Sequence, residues 1–221
     1  MDIMRLIATF EGCYEPERKD RSNTRELVFS LIGKFGPALI YWYHFSHSGI
    51  RLTRTQTGVQ DSIASNFLKL LRLSGSVTSL EVRALDVSMI LYAEHGFNAS
   101  TFASRITTST LSDIYSAISS GIGTLKGNLH GGANEAAMQY LQGLQSTAQA
   151  DVFLNNTFGN KKKLMGFGHR VYKKGDPRHS IAKQYSQMLS ETPNGISFMT
   201  TDLYTFNYKF IMTEKSFKNT E

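Results

Sequence analysis

A chain of 221 residues with 41% hydrophobic and 11% aromatic residues is long enough to bury a core and too apolar for wholesale disorder. Its single cysteine, Cys13, excludes an intramolecular disulfide and a thiolate metal cluster, which suits a reducing, intracellular setting. The formal charge of +6 suits an anionic partner without naming one.

The opening Met1-Asp2-Ile3-Met4-Arg5 lacks the basic-then-apolar order of a secretory signal. Asn23 followed by Glu26 has the spacing of a capping box, and Leu27, Val28, Leu31 and Phe35 then follow helix spacing. The most apolar stretch, Leu31 to Tyr43, is interrupted by Lys34 and too short to span a bilayer, so a soluble cytoplasmic protein with no membrane partner is expected. His44 and His47 share a helix spacing, but no acidic or third histidine ligand stands near them in sequence. A structural or solvent-facing role is expected and no metal. Ile63, Ala64, Phe67, Leu68 and Leu71 predict a further helix. Thr78 and Glu81 form a second capping box ahead of an apolar helix to about Glu94, with Gly96 where a helix C-terminal glycine belongs.

Leu111, Ile114, Tyr115 and Ile118 continue the helical pattern. The run Gly121-Ile122-Gly123-Thr124-Leu125-Lys126-Gly127 is glycine-rich, but it lacks the G-x-G-x-x-G spacing and follows a helix rather than a strand. A dinucleotide site is therefore disfavoured. Ala136, Ala137, Tyr140, Leu141 and Leu144 make another face, as do Ile181, Ala182, Tyr185 and Leu189. No convincing period-two strand occurs, and the chain reads as all-α. Lys161, Lys162, Lys163, Arg170, Lys173 and Lys174 form a basic stretch. No zinc-finger spacing, aromatic RNP motif or helix-turn-helix signature accompanies it, so a solvated face is expected and no nucleic acid.

The remaining informative feature is three glycine-flanked histidines at helix ends: His95 beside Gly96, His130 in His130-Gly131-Gly132, and His169 in Gly168-His169-Arg170. Glycine permits sharp turns and close approach, and helix starts favour negative charge. With the basic loop, the three point to a site for an anionic small molecule.

The words AEHGFNASTF, TLSDIYSAI, LHGGANEAAM and GFGHRVYKKGDPRH occur in order between Met89 and His179. Together they resemble the citrate synthase family, in its bacterial 2-methylcitrate synthase branch above all, over roughly residues 1 to 190. The resemblance implies a multi-helical fold with a central part of a large domain at 1–130, the first part of a small domain at 131–192, and a divergent tail at 193–221. It implies condensation of acetyl-CoA or propionyl-CoA with oxaloacetate, giving citrate or 2-methylcitrate plus CoA. CoA is then a substrate, with no metal or bound cofactor.

By the same resemblance, His130 donates a hydrogen bond to the thioester oxygen and His169 assists at the oxaloacetate carbonyl. His95 and Arg178 hold the oxaloacetate carboxylates. Leu164, Met165, Gly166, Phe167 and Gly168 pack near the CoA adenine. Asn98 and Asn134 have the simpler reading of helix caps, and Asp176 that of a loop holder. The family's base is an aspartate of a later segment, which the sequence after about Glu191 does not match, and Asp202 does not take its place. The chain is therefore expected to be a fragment lacking both family ends, with little synthase activity alone. The alternative to an enzyme is an inactive remnant that binds ligand or pairs with an intact subunit, where the intact family forms homodimers.

Overall fold

The computed structural model describes residues 2–52, 61–73, 76–93, 96–144, 146–164 and 175–192. Among them there are nine α-helices and no strand: α1 (Asp2–Tyr14), α2 (Thr24–Ser48), α3 (Ile63–Arg72), α4 (Ser79–Tyr92), α5 (Ala99–Ser109), α6 (Ile114–Leu125), α7 (Gly132–Gln142), α8 (Thr147–Gly159) and α9 (His179–Ser190). The all-α reading holds. The chain divides into two compact units, Met1–His130 and Gly131–Glu221.

Short polar residues start most of the helices. Ser62, Thr78, Asn98, Asp113 and Ser146 each accept a hydrogen bond from the backbone N–H three residues on, satisfying a donor that the helix itself leaves open. At Thr78 the box is complete, because Glu81 reaches back to the Thr78 amide at 2.8 Å. The box expected at Asn23 does not form. Asn23 is not in the extended conformation a cap needs; its Oδ1 accepts from the Arg18 amide at 2.9 Å and its Nδ2 donates to the Pro16 carbonyl. The loop before α2 competes successfully for its side chain.

In the first unit, α6 packs against both α1 and α5, α2 packs against α1 and α3, and α3 against α4. Leu27 and Leu31 of α2 meet Tyr115 of α6 in one buried cluster, bordered by Phe35, Ile114 and Ile118. The Tyr115 hydroxyl donates to the Glu15 carbonyl, so this ring enters the core without stranding its polar end. Glu17 ties the same region together: its carboxylate accepts from Thr24 Oγ1 at 2.6 Å and from the Ile114 amide at 2.9 Å. Lys34 on α2 pairs with Glu11 on α1. His44 is buried, with Nε2 3.0 Å from the Leu70 carbonyl, whereas His47 is exposed. Of the two roles expected, His44 takes the structural one and His47 the solvent-facing one.

Three apolar patterns differ from expectation. In α3 the buried residues are Ala64 and Leu70, while Ile63, at the first position of the helix, is 49% exposed. Leu111 lies in the α5–α6 connection with φ +63 and is 85% exposed, so it does not extend the stripe of Ile114, Tyr115 and Ile118. Helix α4 ends at Tyr92, two residues short of expectation, and buries only Ala84 despite its apolar sequence.

The α5–α6 pair makes the most extensive helix–helix contact among the described residues of the unit. Ser104 Oγ donates to the Ala117 carbonyl at 3.0 Å, and a Cβ placed on Gly121 would stand 2.5 Å from that same oxygen. The glycine-rich run thus lies mostly inside a helix, where Gly121 serves packing rather than phosphate binding.

In the second unit, Leu144, Ala150, Leu154 and Leu164 form a buried cluster, bordered by Tyr140 and Phe153, whose rings stack at 5.2 Å. Burial raises the Tyr140 phenol above its ordinary range. Asn134 lies within α7 rather than ahead of it.

Two outcomes follow from this packing. Gly121→Ala gains about 1 kcal/mol of helix propensity but meets a hydrogen-bonded oxygen, an overpacking that typically costs about 1–3 kcal/mol. A lower urea midpoint is expected, recovering when Ser104→Ala is added, since the next neighbour, the Ser100 carbonyl, is at an ordinary 3.6 Å. The second concerns the α3–α4 joint, where Arg72 donates to Glu81 at 2.6 Å. Arg72 and the Thr78 bonds hold the Glu81 carboxyl at about 2, against an ordinary 4.5. A depressed carboxyl adds stability that is fully present above 4.5 and lost as the pH falls toward 2. Arg72→Met should therefore destabilise the chain by about 1–3 kcal/mol at neutral pH and flatten the acid limb of its stability profile, as read by urea unfolding between pH 6 and about 3.

Candidate functional site

The α5–α6 pair is antiparallel, since residue 104 meets 117 while residue 100 approaches 121. The start of α5 therefore lies beside the segment that follows α6. Two left-handed residues, Gly96 at φ +64 and Phe97 at φ +60, precede the Asn98 cap. Only the first is glycine, so Phe97 carries a backbone cost of about 1 kcal/mol or more. Its ring lies edge-on to Phe102 at 5.9 Å and beneath the Arg105 guanidinium at 4.9 Å. Such contacts are worth about 0.5–1.5 and 0.5–1 kcal/mol respectively, enough to offset that cost.

Asn98 Oδ1 accepts from the Thr101 amide at 3.0 Å, as expected of a cap, and this closes the first turn of α5. Ser100, in that turn, places Oγ 2.7 Å from His130 Nε2. On the other side, the chain leaves α6 through successive turns. Gly127 N–H donates to the Thr124 carbonyl at 3.1 Å and His130 N–H to the Gly127 carbonyl at 2.9 Å. His130 is thus held at both backbone and ring, and it is partly buried.

In the second unit, Asp176 organises the approach to α9. Its Oδ1 accepts from the Arg178 amide at 2.9 Å and from Nε at 3.0 Å, and its Oδ2 accepts from a terminal guanidinium nitrogen at 2.7 Å. Asp176 is a loop holder, as expected, and it also engages the Arg178 fork. Leu164 is 8% exposed and packs in the second core, so its side chain anchors the segment rather than presenting itself to a ligand. His95, Met165, Gly166, Phe167, Gly168 and His169 lie outside the described residues. Lys161, Lys162 and Lys163 are exposed just before them. Among the described residues no group of three or more His, Cys, Asp or Glu gathers in a metal-binding arrangement.

Ser100 is the residue that sequence reasoning passed over. It stands inside the AEHGFNASTF motif, but nothing in its spacing marks it, because its partner is thirty positions away. Replacing it by alanine should leave the fold intact and move the ring nitrogen resonance of His130 in a ¹⁵N spectrum. An unchanged resonance in the folded variant would show that the hydroxyl does not set the state of the ring.

Comparison with known proteins adds the following. A family model described as "Citrate synthase, C-terminal domain" matches residues 1–211, beyond residue 190, where the motif resemblance stops. The 2-methylcitrate synthase of Shewanella oneidensis is 43% identical over 190 residues, which is 86% of this chain and 50% of that protein. A citrate synthase of Mycolicibacterium smegmatis is 48% identical over 142 residues, 64% of this chain and 37% of that one. Among solved structures, a citrate synthase of Thermoplasma acidophilum in ternary complex with carboxymethyl-CoA and oxaloacetate superposes with a TM-score of 0.74 at 32% identity. It covers 88% of this chain and 50% of the other. The chain thus spans about half the length of curated relatives that it matches.

Proposed function

The chain belongs to the citrate synthase family, and we propose that its chemistry is the condensation of an acyl-CoA, propionyl-CoA or acetyl-CoA, with oxaloacetate, giving 2-methylcitrate or citrate plus CoA. The Ser100–His130 pair is the observation that carries this reading. A hydroxyl can donate to an imidazole nitrogen or accept from it, so this contact couples the ring's tautomer to the direction of the Ser100 hydroxyl. If Ser100 donates to Nε2, the proton resides on Nδ1, and Nδ1–H becomes the ring's donor. A donor held in this way suits the thioester oxygen as negative charge develops on it during removal of the neighbouring proton.

Arg178 supplies the forked cation for an oxaloacetate carboxylate, with His95 as its companion and His169 at the ketone oxygen. Because Asp176 engages the Arg178 fork, a substrate carboxylate must bind beside that contact or exchange with it. The segment from Leu164 to Gly168 would face the CoA adenine through its later members, since the Leu164 side chain is committed to the core. The ternary complex of the Thermoplasma acidophilum citrate synthase, which holds a CoA analogue together with oxaloacetate, supports the choice of these two substrates. The proposal includes a cytoplasmic location and a homodimer. No helix among the described residues is long and apolar enough to cross a membrane, and Phe102 and Ile106 leave about half of their surface exposed on α5.

No aspartate of this chain is assigned as the base, so turnover is expected to be slow, by the roughly 10²–10⁴-fold that a general base contributes. The test is release of free CoA from acetyl-CoA or propionyl-CoA, with and without oxaloacetate. Oxaloacetate-dependent release that falls a further 10²–10³-fold or so in His130→Ala is the expected result, matching the loss of one oxyanion donor. The preferred thioester names the branch. No release from the folded chain would overturn the synthase reading in favour of ligand binding without turnover.

A further inference from the structure

Phe97 is a bulky residue where glycine would be easier. It follows Gly96 directly, and both are left-handed, at φ +60 and +64. Its ring does not turn to solvent alone but folds forward onto Phe102 and Arg105, with centroid distances of 5.9 and 4.9 Å. Those two residues are three positions apart and so occupy one face of α5. The ring therefore lies along the first two turns of the helix whose second residue is Ser100. Helix ends fray unless something holds them, and beside the Asn98 cap this aromatic contact binds the entering turn to α5.

The geometry points to Phe97, seated against Phe102 and Arg105, as a positioning residue for the Ser100–His130 pair. It fastens the left-handed turn to the helix and so keeps the first turn closed, with Ser100 Oγ at 2.7 Å from the imidazole. Phe97 acts through Ser100 and touches no reacting atom. The inference deepens the proposed function and rests on it for the meaning of the pair, though not for the pair's existence.

The experiment uses the full chain without substrate. Amide exchange is followed at Thr101 and Phe102, whose N–H groups donate to the Asn98 side chain and carbonyl, together with the ¹⁵N resonances of the His130 ring. Phe97→Ala should speed exchange at both amides by about 2- to 12-fold, the worth of one aromatic pair, and move the His130 resonances in the direction that Ser100→Ala moves them. Phe97→Tyr, which keeps the ring, should restore both readings. Phe97→Gly separates the clip from the backbone strain. If relief of strain were all that mattered, protection would rise; it is expected to fall. Should the Phe97 variants not fold, Arg105→Gln decides alone, since it leaves ring and backbone in place; about 2- to 5-fold faster exchange is expected. Unchanged exchange and unchanged His130 resonances in a folded Phe97→Ala, or in Arg105→Gln where that variant decides, would overturn the inference. Failure of CoA release in the parent chain would sink the synthase reading and leave this comparison intact.

Discussion

The close approach of α5 and α6 governs the first unit. Two helices that pack through a serine and a glycine come nearer than helices separated by leucines, and the backbone of one then becomes available to side chains of the other. Ser104 uses that proximity to bond the Ala117 carbonyl, and Gly121 leaves room for the oxygen that does so. With the pair antiparallel, this contact places the start of α5 next to the chain leaving α6. Ser100 and His130 meet there because the helices are docked at this distance and in this register.

Around that pair, polar side chains perform the work of fixing ends while apolar ones fix faces. The caps at Thr78, Asn98 and Asp113 are of one kind, each closing a first turn through the third amide. Burial opposes ionisation of Asp113, yet the hydroxyl and amide of Ser116 hold its carboxyl below the ordinary range, consistent with an anion at a helix start. Glu17 performs a related task at longer range, joining the α1–α2 loop to the first amide of α6. Charged and polar groups here define where elements begin, and the buried cluster of Leu27, Leu31 and Tyr115 supplies the attraction that keeps them together.

The apolar content of the sequence exceeds what the first unit buries. Ile90 and Tyr92 at the end of α4 are 68% and 66% exposed, although the helix reads as strongly apolar. Among the described residues, this apolar helix has a single buried residue, Ala84. Burial was therefore less legible than helix position: periodicity shows which residues share a face, but the presence of a partner on that face is a property of the assembled helices.

The sequence by itself determined the all-α class, the capping box at Thr78, the cap at Asn98 and the motif order that marks the family. These are readable because capping and helix spacing act over about four residues of chain, and because motifs in fixed order are recognisable without knowledge of shape. Asn23 shows the limit even of local rules, since a neighbouring loop claimed its side chain. Only the tertiary structure decided that Gly121 is a packing residue, that Leu164 is a core anchor and that Ser100 bonds His130. Each of these depends on distances between helices, and such distances follow from how side chains of distant segments interlock rather than from any spacing along the chain.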